Sequence, residues 1–261
     1  MAEPEILFDE AEGVARITLN RPDKFNAMTP ASLDLFVTLL DRVRDAGTAR
    51  VLLLTGAGKA FCSGADLGGF AESEGPPDRG SGLEKGHNLI VQRMRHLPVP
   101  IVCAVNGAAA GGGCGYALAG DIVLAARSAY FLQPFANIGL VSDVGATWLL
   151  PRLIGKARAT GMILLGERIP AETAAEWGMI WQAVDDDCLM DEAEAMARRL
   201  AAGPTEAYRL MRAGIADALE MPLTAALDME RRNQRIAGRT ADHSEGVTAF
   251  LEKRPPRFTG R

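Results

Sequence analysis

Hydrophobic and polar positions alternate with a period of two residues at the start of the chain, which is typical of paired strands. This alternation predicts strands at Glu5–Phe8 and Val14–Leu19. Apolar residues then recur three or four positions apart from Thr29-Pro30, a favourable helix start, to Gly47, and they predict one amphipathic helix. The unbroken apolar run RVLLLT predicts a buried strand at Arg50–Thr55.

The middle of the chain continues with short elements of both kinds, separated by loops. We predict a helix at Leu89–Leu97, strands at Ile101–Val105, Asp121–Ala126 and Tyr130–Leu132, and a helix at Gly145–Leu150 that Pro151 ends. The predicted loops are Gly56–Leu67, the polar Gly- and Pro-rich residues 71–86, and Gln133–Val144.

The pattern becomes almost wholly helical from about Lys156 onwards. Helices are predicted at 157–165, 171–177, 189–202, 205–219, 223–237 and 242–252, with one more strand at Met179–Val184. Strands and helices followed by a helical tail predict an α/β core with a helical appendage. Tails of this kind often pack on another subunit.

The stretch Ile101–Gly115 joins an apolar strand to three consecutive glycines, Gly111–Gly113, ahead of a helical pattern. A glycine-rich turn before a helix leaves N–H groups uncovered, and these attract an anion or an oxygen that becomes negative during a reaction. A buried strand–helix junction without chemistry explains the same residues equally well. A transmembrane span over the uncharged Leu97–Gly120 is a further alternative, which two prolines and six glycines disfavour.

Composition and charge exclude several classes of function. The 28 basic and 33 acidic residues give a net charge of −5, which makes nucleic acid or an anionic membrane an unfavourable partner. The four cysteines show no CxxC spacing, and Cys62, Cys103 and Cys114 lie in apolar or glycine-rich surroundings typical of buried free thiols. With an acidic start, MAEPEILFDE, in place of a secretory leader, these features predict a cytoplasmic protein.

Histidines are few, and His87, His96 and His243 are scattered along the chain. This leaves little material for a histidine-based metal site or a Ser-His-Asp triad. We expect the side chain of each histidine to be exposed to solvent, and we expect no bound metal.

Four segments give the chain its resemblance to a known family. They read TLNRPDKFNAM, LLTGAGKAFCSGADL, AVNGAAAGGGCG and EGVTAFLEKRPPRF, in the order of the crotonase (enoyl-CoA hydratase/isomerase) family. The resemblance implies a ClpP/crotonase-like α/β spiral of ββα units with an acyl-CoA site over residues 1–195, and a C-terminal helical trimerisation region over 196–261. It also implies a homotrimer or homohexamer, with no cofactor besides the coenzyme A of the thioester substrate.

The resemblance supplies a second loop to work with the glycine-rich stretch. Family members hold the thioester carbonyl oxygen of an acyl-CoA with two backbone N–H groups, which correspond to Ala65 and Gly112 here. Such donors are worth most on the negative oxygen of an enolate. The neighbouring residues Ser63, Asp66 and Leu67 are implied to contact coenzyme A.

The acid–base group is where the chain departs from the hydratases of the family. Those enzymes use two glutamates to hold and ionise water, and Gly115 and Phe135 stand at their positions. Asp143 corresponds instead to the aspartate of the epoxyphenylacetyl-CoA isomerases and some dienoyl-CoA isomerases, which implies a proton shuttle with one carboxylate. A helix N-cap is the alternative for Asp143. Ser142 replaces a proline that is common in relatives.

Weaker assignments follow from the same resemblance. Lys24 corresponds to a loop along the coenzyme A phosphates, although an isolated lysine is more often simply solvated. Lys253 corresponds to a lysine that reaches coenzyme A from a neighbouring subunit, and Phe135 to an apolar or aromatic wall of the acyl pocket. An exposed position is the expectation for Asn88, with the acyl pocket as the alternative. Two tryptophans are assigned to the core, Trp148 and Trp181.

The resemblance therefore implies an acyl-CoA isomerase in which two amides polarise the thioester while Asp143 moves a proton. The product is a double bond conjugated with the thioester, or the oxepin isomer of a ring epoxide such as epoxyphenylacetyl-CoA. Three alternatives stay open: a hydratase with unusual acid–base groups, a hydrolase or dehalogenase with Asp143 as nucleophile, and an inactive acyl-CoA-binding protein. The dehalogenase is disfavoured because His87 is offset by one position from the family's histidine and Phe135 replaces its tryptophan.

Overall fold

Two β-sheets organise the chain in a computed structural model that describes residues 3–66, 68 and 78–261, with the backbone alone at Arg79. The strands are β1 (Ile6–Ala11), β2 (Val14–Leu19), β3 (Val51–Gly56), β4 (Ala60–Cys62), β5 (Ile101–Val105), β6 (Ala108–Ala110), β7 (Ile122–Ala126), β8 (Tyr130–Leu132), β9 (Ile169–Pro170) and β10 (Gln182–Val184). The central sheet has the order β1-β2-β3-β5-β7-β10 and is parallel except for the β1–β2 pair. The second sheet has the order β4-β6-β8-β9, in which β4, β6 and β8 are parallel.

Helices connect the strands and then form the C-terminal part of the chain. They are α1 (Pro30–Ala46), α2 (Arg79–Gly82), α3 (Asn88–His96), α4 (Gly112–Leu118), α5 (Ala146–Leu165), α6 (Ala171–Glu176), α7 (Leu189–Ala201), α8 (Thr205–Ala218), α9 (Leu223–Ala237) and α10 (Ala241–Glu252). Helix α1 begins and ends as predicted. The Thr29 hydroxyl accepts the Ser32 amide at 3.0 Å, and Gly47 ends the helix in a left-handed conformation.

The core surrounds β3 and β5, in which every residue is buried, as expected of parallel strands covered on both faces. Helix α7 packs on β3, β5 and β7, and α1 packs on β1 and α3. The boundary predicted at residue 195 falls inside α7, and the division into a core and a C-terminal oligomerisation region stays a prediction. The free thiols of Cys62, Cys103 and Cys114 are buried, as predicted.

Helix α5 runs past Pro151, where the sequence predicted a helix end. Pro151 removes one hydrogen bond in the second turn, and the carbonyl left over belongs to the exposed Thr147, which water can reach. The helical dihedral angles are interrupted instead at Gly155, with φ 75° and ψ 162°. The predicted segments 145–150 and 157–165 are therefore parts of one kinked element.

Residues 79–87 form helical turns, where the sequence predicted a loop through residue 86. The Asp78 side chain accepts hydrogen bonds from the amides of Gly80 and Ser81 at 2.9 and 3.2 Å, which starts α2. A π-helical turn, Leu83–His87, then joins α2 to α3. The earlier part of the predicted loop, residues 71–77, lies outside the described residues.

Three strands of the second sheet, β4, β6 and β9, were missing from the sequence prediction. Each has only two or three residues, too few to show a hydrophobic period. Strand β4 lies within the predicted loop Gly56–Leu67, and β6 lies within the glycine-rich stretch. Ligands of sheets with parallel strands bind beyond the carboxyl ends of the strands, so the loops that follow β4 and β6 are the place to look for a site.

The C-terminal helices α8, α9 and α10 expose large apolar side chains. Six of them are more than half exposed: Met211, Ile215, Leu223, Leu227, Phe250 and Leu251. Apolar surface of this extent is typical of a face that packs on another protein. The transmembrane alternative for Leu97–Gly120 is wrong, because this stretch forms β5, β6 and α4, and none of the described helices has the length and hydropathy to cross a bilayer.

Candidate active site

Two loops meet at the carboxyl ends of the neighbouring parallel strands β4 and β6. The first loop, Ser63–Asp66, follows β4, and the second places Gly111 ahead of α4. A Cβ atom built on Gly64 would lie 3.1 Å from the amide nitrogen of Gly112, so the loops touch through backbone atoms. Gly64 and Gly111 have φ angles of +95° and +53°, which favour glycine at both positions.

The amides of Ala65 and Gly112 are free at this contact. The Met28 amide donates to the Gly64 carbonyl at 2.8 Å, and the Met28 carbonyl accepts from the Asp66 amide at 2.9 Å. Both bonds go to neighbours of Ala65, so the Ala65 amide has no acceptor in this pair. Gly112 is the first residue of α4, and first-turn amides have no acceptor within their helix. Within the described ranges neither amide makes a hydrogen bond. The two residues predicted to hold a carbonyl oxygen are thus neighbours with uncommitted N–H groups.

A buried asparagine and an arginine hold the first loop in shape. Asn26 donates its side-chain amide to two carbonyl groups of β4 at 2.7 and 3.2 Å, and its oxygen accepts the Arg21 amide at 2.8 Å. The Arg21 side chain in turn pairs with Asp66 at 2.9 Å. Hydrogen bonds from the Gly68 amide and from Arg21 lower the pKa of Asp66. The sequence motifs gave Arg21 and Asn26 no role, although both residues lie in the segment TLNRPDKFNAM.

Asp143 lies in the loop before α5, with its Oδ1 atom buried and without a hydrogen-bond partner among the described residues. Burial raises the pKa of the Asp143 carboxyl to about 6. The N-cap alternative is wrong, because Gly145 is the N-cap of α5 and no side chain caps the helix. The Ser142 hydroxyl is also buried and unpaired within the described chain. Unsatisfied buried polar groups of this kind are typical of sites that bind a ligand.

Val144 places the Asp143 loop against α4. A Cβ atom built on Gly112 would lie 3.0 Å from Cγ2 of Val144, and one built on Gly115 would lie 2.4 Å from the Val144 carbonyl oxygen. Gly112 and Gly115 are three positions apart and share one face of α4, on which Val144 lies. The φ angle of Val144 is +50°, a strained value for a β-branched residue. Asp143 is therefore the neighbour in sequence of a residue that packs on Gly112.

Phe135 lies beside the glycine that precedes Gly112. A Cβ atom built on Gly111 would lie 3.4 Å from Cζ of the half-buried Phe135 ring. The fully buried Gln133 donates its Nε2 to the Gly111 carbonyl at 3.3 Å. The ring therefore borders the two loops, and its assignment as a wall of an acyl pocket stays a prediction.

His87 contradicts the expectation that all three histidines are exposed. Its side chain is buried, with 6% of the residue exposed, and Nδ1 lies 2.5 Å from the hydroxyl oxygen of Tyr116. Burial lowers the pKa of His87 to about 4, and burial also raises the pKa of Tyr116, which lies in α4. The two residues are 29 positions apart and no sequence motif links them. His96 and His243 are exposed, as predicted.

Lys24 and Ser63 lie at the edge of the first loop. Lys24 is exposed, in the turn Pro22–Lys24, and the next residue, Phe25, accepts the Ser63 amide at 3.0 Å. The segment that carries Lys24 therefore runs alongside the loop of Ala65. Contact of Lys24, Ser63 and Asp66 with coenzyme A stays a prediction.

Other predicted residues lie away from these loops. Lys253 is exposed at the end of α10 and makes no ion pair or hydrogen bond with the site residues in the described part of the chain. Leu67 lies outside the described residues. Asn88 is exposed, as expected. The assignment of Trp181 to the core is wrong, because it precedes the edge strand β10 and is 67% exposed, whereas Trp148 is half-buried.

Sequence comparison relates the whole chain to proteins of known family. A model of the enoyl-CoA hydratase/isomerase family matches residues 9–261. The chain is 49% identical over 258 residues to the 1,2-epoxyphenylacetyl-CoA isomerase of Escherichia coli (strain K12), with 98% of each protein covered. It is 46% identical over 261 residues to a Rhodobacter capsulatus protein named "Probable enoyl-CoA hydratase", with 100% of each covered.

Structural comparison gives the same relationship. A crystal structure from Mycobacterium abscessus, assigned to the enoyl-CoA hydratases/isomerases, superposes with a TM-score of 0.95 at 36% identity. The match covers 98% of this chain and 100% of that one. The predicted crotonase fold is thereby confirmed. With a family model matched over nearly its full length, the chain belongs to the enoyl-CoA hydratase/isomerase (crotonase) family of enzymes.

Proposed function

We propose that this enzyme is an acyl-CoA isomerase that moves a proton between two carbon atoms near the coenzyme A thioester. The amides of Ala65 and Gly112 hold the thioester oxygen, and Asp143 carries the proton. With a 3-enoyl-CoA, the carboxylate removes a proton from C2, and the electron pair moves onto the thioester oxygen to form an enolate. The protonated Asp143 then gives the proton to C4, which leaves the double bond between C2 and C3.

The environment of Asp143 is the observation that carries this proposal. The Oδ1 atom of its carboxyl is buried and has no hydrogen-bond partner among the described residues, and the next residue, Val144, packs on Gly112. With a pKa of about 6, it is mostly ionised at pH 7 and still basic enough to hold a proton between two transfers. Each amide donor that meets the enolate oxygen in a water-poor site lowers the barrier by about 3–4 kcal/mol.

Hydration is the second candidate and has weaker support in the site. It requires groups that orient and ionise a water molecule, which Gly115 and Phe135 lack. The carbonyl of Val144 fills the space into which a side chain at residue 115 would project. The 46% identity to a protein named "Probable enoyl-CoA hydratase" is the reason to test hydration directly.

A ring-bearing acyl group is the substrate class that we favour. The half-buried Phe135 ring beside Gly111 offers an aromatic surface to such a group. The E. coli relative is named for 1,2-epoxyphenylacetyl-CoA, which supports a ring epoxide as substrate and its oxepin isomer as product.

The proposed assembly is a homotrimer or homohexamer in which Lys253 reaches coenzyme A in a neighbouring subunit. The exposed apolar side chains of α8, α9 and α10 support a subunit interface there. Within one chain, Lys24, Ser63, Asp66 and Leu67 are proposed to contact the coenzyme A portion. No further cofactor enters this proposal, and the cytoplasm is its proposed location.

The test is to incubate the purified enzyme with a 3-enoyl-CoA and to follow the conjugated 2-enoyl thioester by ultraviolet absorbance. The Asp143→Asn variant keeps the shape of the side chain and removes the base. We expect its kcat to fall by roughly 10²–10⁴-fold, the usual contribution of a positioned acid–base group. The same change at the exposed Asp34, Asp34→Asn, is the matched control and should leave kcat unchanged.

Hydration of crotonyl-CoA is measured in parallel on the same proteins. Strong hydration at a rate that the Asp143 substitution leaves unchanged would overturn the proposal in favour of a hydratase with other acid–base groups. Binding of acyl-CoA without turnover of a 3-enoyl-CoA or of 1,2-epoxyphenylacetyl-CoA would identify an inactive binding protein instead.

A further inference from the structure

Helix α4 carries one of the two proposed oxyanion donors at its first residue, so its position decides where the Gly112 amide points. Val144 contacts one side of the first turn of α4. A second contact comes from His87, at the end of the π-helical turn that leads into α3. Turns of π-helix are rare and often lie at functional positions. The proposed chemistry leaves His87 without a role.

The His87 imidazole lies along the face of α4 that Gly112 and Tyr116 share. A Cβ atom built on Gly112 would lie 3.7 Å from Nδ1 of His87, and the same Nδ1 atom lies 2.5 Å from the Tyr116 hydroxyl oxygen. Gly112 and Tyr116 are four positions apart, which places them one above the other on the helix. The glycine therefore gives the ring room, and the tyrosine gives it a hydrogen bond.

The tyrosine itself is fixed by packing on both sides. Its ring is fully buried and meets the edge of Phe36 at a centroid distance of 5.8 Å. The His87 ring lies nearly parallel to it, with planes 12° apart, and meets its hydroxyl end, with ring centroids 5.9 Å apart. Since burial keeps the pKa of His87 near 4, the imidazole is neutral at pH 7 and the bond joins two uncharged groups. Two rigid rings thus connect the π-helical turn before α3 with α4, next to Gly112.

We propose that His87 is a positioning residue that aims the Gly112 amide at the thioester oxygen through its hydrogen bond with Tyr116. The proposal rests on the oxyanion role of Gly112 given above. His87 acts through α4 and transfers no proton. The hydrogen bond matters most when charge develops on the oxygen, because stabilisation of an enolate by an amide depends steeply on direction and distance.

Three variants separate the hydrogen bond from the bulk of the side chain. Tyr116→Phe removes only the hydroxyl, His87→Leu removes the imidazole, and His87→Asn keeps a polar group near the place of Nδ1. We expect the first two to lower kcat by roughly tenfold to a hundredfold with little change in KM, as for a small misplacement of a catalytic group. His87→Asn should recover most of the loss. His96→Leu, at the exposed C-terminal end of α3, is the matched control.

The double variant His87→Leu/Tyr116→Phe tests whether the two residues act as one unit. The kcat of the double variant should lie within about threefold of that of the less active single variant, since either change alone already removes the bond. Multiplied losses, or a His87→Asn variant as impaired as His87→Leu, would overturn the inference.

The infrared carbonyl band of bound [1-13C]butyryl-CoA reports the oxyanion site without any turnover. Two amide donors should move this band to lower frequency in the unaltered enzyme, and we expect a smaller displacement in Tyr116→Phe and His87→Leu. The melting temperature of each variant is recorded as a control for folding. An equal displacement in all proteins would overturn the inference and leave the isomerase proposal intact. An undisplaced band in the unaltered enzyme would overturn the oxyanion role itself.

Discussion

Gly64 lies against the amide nitrogen of Gly112, so closely that a Cβ atom on Gly64 would come within 3.1 Å of that nitrogen and 3.2 Å of the Ala110 carbonyl oxygen. The two proposed oxyanion donors follow from this contact, because Ala65 is the next residue of one loop and Gly112 belongs to the other. The spacing of the donors therefore depends on the absence of a side chain at residue 64.

Gly64→Ala should lower kcat by roughly tenfold to a hundredfold, because the added methyl group pushes the two loops apart. The φ of +95° adds backbone strain. Gly47→Ala is the matched control, since its φ is also positive, at +63°, but nothing lies within 4 Å of the new atom. Steady-state kinetics with a 3-enoyl-CoA should show the loss in the first variant alone. Equal activity in both would mean that the loop contact does not set the donor geometry.

The pH dependence of kcat/KM should report the ionisation of Asp143. The carboxylate is the active form, so activity falls as the pH drops through the pKa of about 6 and reaches a plateau above pH 7. A profile from pH 3.5 to 8 in a buffer series of constant ionic strength checks this limb. A limb near pH 4 would instead indicate a base with an ordinary carboxyl pKa.

Asp143→Asn should stabilise the folded enzyme at pH 8, although it removes the proposed base. Burial raises the pKa of Asp143 from 3.8 to about 6, so the folded state disfavours the carboxylate that forms as the pH rises. The gain should be about 1–3 kcal/mol at pH 8 and should become small near pH 3.5, where the carboxyl is mostly neutral in both states. Urea unfolding at the two pH values measures it. A variant less stable than the unaltered enzyme at pH 8 would show that the buried carboxylate has a stabilising partner.

Gly115→Glu should abolish isomerisation without creating a hydratase. The new Cβ atom would lie 2.4 Å from the Val144 carbonyl oxygen and 2.8 Å from Val144 Cβ, so the Asp143 loop has to move. We expect kcat for isomerisation to fall by more than about a hundredfold, the usual size of a lost acid–base group. Gly161→Ala in α5, with no atom within 4 Å, is the helix-glycine control and should stabilise by up to about 1 kcal/mol. Hydration of crotonyl-CoA by the glutamate variant would contradict this prediction.

Local sequence patterns predicted much of the fold, because caps and periods act over a few residues. Helix α1 begins after Thr29 and ends at Gly47 as expected, and β2, β5, β8 and α9 begin and end at the predicted residues. Strands β4 and β6 escaped prediction because three residues carry no period, and their pairing joins segments about 50 residues apart. Pro151 misled for a different reason, since its lost hydrogen bond falls on the exposed face of α5.

The resemblance to the family supplied most of the candidate site, and long-range packing supplied the rest. Ala65, Gly112 and Asp143 were identified from motifs, and their roles stay predictions. His87 was placed at the surface because a single histidine in a polar segment has no local feature that shows burial. Its environment is set by Tyr116, a residue 29 positions away, and only the packing of α3 against α4 brings the two rings together.

Val144 also bears on how one activity of this fold can be exchanged for another in evolution. A chain with Val144 over Gly115 cannot acquire a glutamate there in one substitution and keep its loop in place. The loop has to be relocated first, and that step alone displaces Asp143, the proposed acid–base group. A change from isomerase to hydratase along this route therefore passes through an ancestor with neither activity. A duplicated gene copy, from which no activity is required, can pass through that stage.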